Sequence, residues 1–270
     1  MKIITSRDNP TVKHLAALAK SAPARRRDGM CLLEGEHLAQ SYVQRGARLA
    51  TLALRSAGAG ADADVALTPA QHALVAHANE AILLTPQLFD QLSSLATPSG
   101  VLAIAALPAA KPLATKGLVL ALDAVQDPGN VGTLIRTAAA AGFAQVWLSP
   151  GCAFAWSVKT LRASQGAHFH IDVIEDVDLA AALNSFQGER WATLPRALAG
   201  MNAQVKVHDL FAAKFAHDVA LILSNEGSGL SSALYSAVTH GVSIPMKNGV
   251  ESLNVATAGA LALYTVAANK

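Results

Sequence analysis

Apolar and polar positions along the 270-residue chain change period many times, most regularly in the second half. LVLALDAV (118–125), AQVWLS (144–149), RWATL (190–194), VALILS (219–224) and GVSIP (241–245) are short apolar or β-branched runs bounded by turn residues. Such runs predict buried strands. Between them, 131–141, 178–186 and 231–239 carry helical periods, and a last helix of Ala, Leu and Val opens near Ser252. TLRASQGA leads into HFHIDVI, which reads as a strand carrying His168 and His170. Strands alternating with helices predict an α/β fold with a parallel sheet whose ligands lie at the carboxyl ends of the strands. The first half is also mixed: a helix over about 10–22, a strand MCLLEG, a helix over 36–45, and shorter elements. LPAAKPLATKG (107–117) sets two prolines and two lysines between apolar runs and predicts a linker. A smaller domain over 1–108, a linker at 109–116 and a second domain over 117–270 follow from it, while AGAGADADVAL (57–67) reads as a surface loop.

With 52% hydrophobic and 15% charged residues the chain can bury real cores, which excludes a disordered protein. The uncharged run 252–269 approaches membrane-spanning length, but Asn254, Thr257 and Thr265 interrupt it, so it reads as a buried helix at an interface. MKIITSRDNP has no apolar signal core, and Cys31 and Cys152 alone make neither a zinc site nor a disulfide framework. A cytoplasmic protein without membrane or metal is expected. The net charge of +2 hides an asymmetry: residues 1–27 hold seven basic groups against Asp8, giving +6, and the remainder carries −4. A basic arm holding Arg7, Lys13, Arg25, Arg26 and Arg27 suits a polyanion, and a solvated helix face explains the same charges equally well.

Three turns gather polar residues at strand ends. LDAVQDPGNVGTLIRTAAAAGF (122–143) places Asn130 at a helix start that suits an anion, and Arg136 among alanines. LILSNEGSGLS (221–231) ends a strand in Asn225 and Glu226 beside glycines. IPMKNGVESLNVATAGALALY (244–264) reads as Ser252 capping a helix with Asn254 in its first turn, where an amide needs a reason to be. The chain lacks a G-x-x-x-x-G-K-[ST] loop, a dinucleotide fingerprint, an H-E-x-x-H pair and a nucleophile elbow. His168 and His170 read as ordinary residues rather than metal ligands.

In order, spacing and identity, DPGNVGTLIRTA (127–138), LSNEGSGLS (223–231) and IPMKNGVESLNVATAGALAL (244–263) resemble the signature motifs of the SpoU (TrmH-like) RNA 2′-O-ribose methyltransferases of the SPOUT superfamily, with SVKTLRASQGA (157–167) as a lesser match. ITSRDNPTVKHL (4–15) and LLEGEHL (32–38) resemble the L30e-like substrate-binding domain often fused to them. The resemblance implies a knotted, homodimeric SPOUT domain, deep trefoil in topology, that binds S-adenosyl-L-methionine. It implies Arg136 as the catalytic arginine with Asn130, Glu226, Ser252 and Asn254 around it. Thr193, Leu194, Ser224, Asn225, Gly227, Ile244, Met246 and Leu253 would contact the cofactor. Ser224 stands where the family commonly has glycine, and CAFAW (152–156) is more apolar than the usual loop. The expected activity is 2′-O-methylation of structured RNA, with 23S ribosomal RNA ahead of transfer RNA as substrate; the alternative of another class is a silent RNA-binding protein of the same fold.

Overall fold

The computed structural model describes residues 1–58, 67–109, 111–195, 205–225 and 229–269. Most of the expected surface loop 57–67, and the site candidates Glu226 and Gly227, lie outside the described residues. The chain forms two compact units, the first comprising Met1–Ala109 and Trp156–Phe169, the second Ala110–Ala155 and His170–Lys270.

In the first unit, β1 (Lys2–Ile4), β2 (Met30–Glu34), β3 (Leu49–Arg55), β4 (Ala78–Leu84) and β5 (Val101–Ala106) form one mixed sheet in the order β1-β4-β3-β5-β2. β1, β4 and β3 run parallel, and β5 is antiparallel to both β3 and β2. The helix expected over 10–22 is two helices, α1 (Pro10–Lys20) and α2 (Ala22–Asp28). Pro23 has no N–H and its ring would collide with a preceding carbonyl, so one continuous helix is barred. Ser21 ends α1 and caps α2, accepting from Ala24 N at 3.2 Å. α3 (Glu36–Val43), α4 (Pro69–Ala76) and α5 (Pro86–Leu92) complete the sequence of the N-terminal segment. α7 (Val158–Ser164) and a 3-10 turn at Ala167–Phe169 pack in this same unit. HFHIDVI is therefore not one strand. His168 lies in the turn, fully buried, with Nδ1 2.6 Å from Ser164 Oγ and its ring edge-on to Trp156.

The second unit holds β6 (Leu118–Asp123), α6 (Pro128–Ala140), β7 (Gln145–Leu148), β8 (Asp172–Ile174), α8 (Leu179–Ser185), β9 (Glu189–Thr193), β10 (Val207–Asp209), β11 (Val219–Ser224), β12 (His240–Ser243) and α9 (Val255–Ala268). Its strands form the expected parallel sheet, in the order β10-β12-β9-β11-β6-β7-β8. β10 was not visible in the amino-acid pattern. The helix expected over 231–239 shrinks to a 3-10 turn at Ser232–Leu234. Ser231, Ser232, Ser236 and Thr239 offer the backbone competing hydrogen bonds, which weakens a longer helix. No helix of the described residues is long and apolar enough to cross a membrane.

α9 packs on α6 and β11 with Gly259 at the contact. A Cβ there would lie 2.3 Å from Leu134 Cδ2 and 2.6 Å from Leu223 Cδ1. Both leucines are fully buried, so making room would require repacking of the core around them. Helix propensity alone favours alanine over glycine by about 1 kcal/mol, whereas overpacking costs roughly 1–3 kcal/mol. Gly259→Ala is therefore expected to lower unfolding free energy, read as a lower urea midpoint at unchanged slope; an equal or higher midpoint would mean that the helix gives way freely.

Candidate active site at the carboxyl edge of the parallel sheet

β12, β9, β11 and β6 are neighbours, so their carboxyl ends bring four loops to one edge. The loop after β6 enters α6 through Asp127, which caps the helix by accepting from Asn130 N at 2.7 Å. A carboxylate thus occupies the helix start that the sequence suggested for an anion, and it repels one. Farther along, Arg136 is exposed on α6 and makes no hydrogen bond or ion pair with another described residue. Six residues at 1.5 Å each set it about 9 Å along the axis from Asn130.

Asn254 is not inside the first turn of α9; it is the cap, and Ser252 is not. Its Oδ1 accepts from Ala256 N at 3.0 Å and Thr257 N at 3.3 Å. Asparagine is among the best residues for this task because its side-chain oxygen reaches the helix's unpaired amides. The other end of the amide is engaged too: Nδ2 donates to Asn130 Oδ1 at 3.1 Å. One side chain therefore closes α9 and ties it to the start of α6, while Ser252 is left exposed in the loop before it.

The residues expected to touch the cofactor come from adjoining strand ends. Thr193 pairs with Val242 across β9 and β12, and Leu194 N donates to Val242 O at 2.8 Å. Ser224 pairs with Asp123 across β11 and β6, and Asn225 follows it. Ile244, Met246 and Leu253 are half-buried in the loop between β12 and α9. The backbone N–H groups of these three donate no hydrogen bond to another described residue. The half-buried Ile244, Met246 and Leu253 with their unused backbone donors fit a purine nucleoside bearing an amino-acid tail, which needs flat apolar contact and a few directed polar groups, while the Leu194 side chain is buried in the core. Ser224, where glycine was expected, is half-buried and holds a regular strand position.

Among the RNA candidates, Arg7, Lys13, Arg26 and Arg27 are exposed, with Lys13 2.9 Å from Asp8 and Arg27 2.7 Å from Asp28. Arg25 is different. It is buried, and its Nη1 donates to the carbonyls of Leu18 and Ala19 at the end of α1. Its guanidinium folds α2 back on α1 instead of facing solvent. Sequence reasoning also passed over Asp123, a buried carboxylate at the end of β6. An acid terminating an otherwise apolar strand was the signal available. Among the described residues no group of three or more His, Cys, Asp or Glu is placed to hold a metal.

A parallel α/β unit with polar side chains gathered at neighbouring strand ends is of the class whose ligands bind at the carboxyl edge of the sheet. A model of the SpoU rRNA methylase family matches residues 117–264, more than half of the chain, and the chain belongs to that family. An MRM3-like substrate binding domain matches residues 9–103. The chain is similar to 23S rRNA (guanosine(2553)-2′-O)-methyltransferase RlmP of Bacillus subtilis, 33% identical over 264 residues and 98% of each chain. It is also similar to human mitochondrial rRNA methyltransferase 3, 30% identical over 200 residues, covering 67% of this chain and 40% of that protein. Among solved structures, an AdoMet-bound rRNA methyltransferase from Sinorhizobium meliloti matches 98% of this chain and 97% of its own at 26% identity and a TM-score of 0.81. A crystal structure of an RNA 2′-O ribose methyltransferase matches 99% and 98% at 25% identity and 0.79.

The double role of Asn254 can be split. Asn254→Asp keeps a capping oxygen but sets a carboxylate against Asn130 Oδ1, whereas Asn254→Ala loses cap and tie together. The alanine variant is expected to lose about 1 kcal/mol of stability and the aspartate variant less, with both weakened in methyl transfer. Full activity of the aspartate variant would show that the Asn130 tie is dispensable.

Proposed function

We propose that the protein transfers a methyl group from S-adenosyl-L-methionine to a ribose 2′-hydroxyl of 23S ribosomal RNA. The observation that carries this reading is the convergence of Asn130, Asn254, Ser224 and the half-buried loop residues Ile244, Met246 and Leu253 on one edge of the sheet, in a chain similar over 98% of its length to a 23S enzyme. That end-to-end similarity favours ribosomal over transfer RNA. Retention of the polar residues favours an enzyme over a silent binder.

When bound, the cofactor supplies an already activated methyl on a cationic sulfur, so the chain's task is chiefly positioning. Thr193, Leu194, Ser224, Asn225, Gly227, Ile244, Met246 and Leu253 would hold it. Arg136 binds the phosphate of the target nucleotide through its planar fork and orients the 2′-hydroxyl for in-line attack. A guanidinium holds its proton in proteins, which disfavours Arg136 as the base, so the proton that the 2′-hydroxyl gives up on methylation would pass to solvent. Asn130 and Asn254 keep the two helix starts together around the incoming nucleotide, and Ser252 and Glu226 complete the expected catalytic set.

The segment matched over 9–103 presents substrate RNA, and the segment matched over 117–264 methylates it. The knot belongs to the same proposal. It is supported by the order of strands, since β11 and β12 come late in the chain yet lie between earlier strands. A homodimer is supported by α9, which leaves Leu261 and Tyr264 exposed in a shallow concavity of about 540 Å³.

The test is methyl transfer from labelled cofactor to total RNA of a strain deleted for this gene, with the 2′-O-methyl position mapped. Label at one 23S nucleotide is expected; label in transfer RNA, or cofactor binding without transfer, would overturn the assignment. Arg136→Lys is expected to lower kcat/KM by roughly 10- to 100-fold, the scale of one charge-assisted hydrogen bond, with cofactor affinity unchanged. Near-full turnover of the lysine variant would sink the bidentate role. Neutralising Arg26 and Arg27 together is expected to flatten the dependence of log K on log salt by about 0.7 for each phosphate that the variant no longer neutralises. Arg25→Gln should instead lower stability and leave that slope alone.

A further inference from the structure

Asp123 has no role in the function proposed above, yet its surroundings are unusual. It is the last residue of β6, only 6% exposed, and a carboxylate that far from water is costly unless it is satisfied locally. Its Oδ2 accepts from Ser231 N at 2.9 Å. Its carbonyl accepts from Asn225 N at 3.1 Å, and the next carbonyl, that of Ala124, accepts from Asn225 Nδ2 at 3.1 Å. Residues 123 and 124 thus bind both Asn225 and Ser231. Asn225 O in turn accepts from Gly229 N at 3.0 Å.

The grip is itself braced. Ala124 has φ +54, a left-handed conformation that a non-glycine residue adopts at a cost. Its N–H donates to Ser149 Oγ at 2.9 Å, from the end of β7. Gly151 lies so near that a Cβ there would stand 3.2 Å from the Ala124 Cβ. A strained residue persists only where neighbours over-determine it, and here they come from the ends of β6, β7 and β11.

We propose that Asp123 is a positioning residue for the cofactor. Its carboxylate clasps Ser231 and thereby holds Asn225 at the carboxyl edge, so that cofactor affinity depends on a residue that need not touch the cofactor. The proposal presupposes the methyltransferase reading and adds to it a residue on a different strand.

Ser231 offers an unusually clean test. Its φ is −63, the value a proline ring imposes. Ser231→Pro therefore deletes the one N–H that the carboxylate accepts, without leaving a new hole in the interior. Binding of S-adenosyl-L-methionine to the full-length protein would be measured by calorimetry for wild type, Asp123→Ala, Asp123→Asn, Ser231→Pro and the Asp123→Ala/Ser231→Pro double variant, with urea midpoints for each. Asp123→Ala and Ser231→Pro are each expected to raise Kd at least tenfold. The double variant should be no more than about threefold worse than either, because both remove one bond. Asp123→Asn keeps an acceptor oxygen and should stay within about threefold of wild type.

Wild-type affinity in Ser231→Pro with an unchanged urea midpoint would overturn the clasp even if Asp123→Ala fails to fold. Losses that multiply in the double variant would overturn it equally. Failure of the wild-type protein itself to bind the cofactor would remove the methyltransferase reading and this proposal with it, an outcome distinct from either.

Discussion

The second unit depends on the placement of β11. From Val219 to Leu223 every residue is fully buried, with β9 on one side and β6 on the other. So uniform an apolar run does not distinguish one register from the next by burial alone. Polar pins at both ends do. At the amino end Val219 N donates to Gly117 O at 2.8 Å, Gly117 N to Asp218 Oδ1 at 2.7 Å, and Glu189 N to Asp218 O at 3.0 Å. The Gly117 amide is the chief cause holding the Asp218 carboxyl below its usual range. Gly188 is required beside it, since a Cβ would fall 2.3 Å from the Asp218 carbonyl oxygen. At the carboxyl end Asn225 N reaches Asp123 O. A slip of one residue would break all of these bonds at once.

Once β11 is fixed, the site elements have little freedom. Leu223 and Leu134 meet at Gly259, so the same strand sets how closely α9 can lie against α6. That approach brings Asn254 within hydrogen-bond distance of Asn130. Each of these residues would pass as an ordinary cap or turn taken singly, and their function lies in sharing partners. The contrast with Arg136 is physical. The asparagines are consumed by contacts within the protein, while the guanidinium faces solvent without a described partner, available to an anion brought from outside.

Much of this was legible in the amino acids because it depends on local chemistry. VALILS became β11 without a change of boundary, and LVLALDAV and RWATL became β6 and β9 with shifts of a residue or two. The parallel sheet and the site-bearing strand ends followed from alternation and turn residues. What failed did so where two local preferences compete. Ser252 and Asn254 are both good caps, and the choice fell to the residue whose amide also finds Asn130, 124 positions away. Arg25, Arg26 and Arg27 look alike in sequence, but α2 turns the first of them onto the carbonyls of α1. Nothing local announces that β11 inserts between β9 and β6, nor that Asp123 meets Ser231; both are products of topology.

Topology also separates the family's sequence boundaries from the physical ones. Residues 156–169 fall inside the matched methylase segment yet pack in the first unit. Val158 joins that unit's core beside Leu88 and Phe89. Phe169 meets Tyr42 edge-on at 5.3 Å, and Gly166, at φ +84, leaves room that a Cβ would take from Ser41 Oγ at 2.7 Å. Arg162 Nη1 donates to Ser94 Oγ, whose backbone N–H and hydroxyl both bind the buried Glu34 carboxylate. The chain therefore crosses between units three times, and a cut in the proline-bearing segment near 107–117 severs only one crossing. Packing this specific cannot be satisfied by solvent: α7 removed from its partner sheet would expose Val158 and Leu161 and leave an opening over β2. A segment of the methylase sequence thus contributes Val158 to the core of the first unit, and a cut at the linker would part α7 from the sheet it packs on.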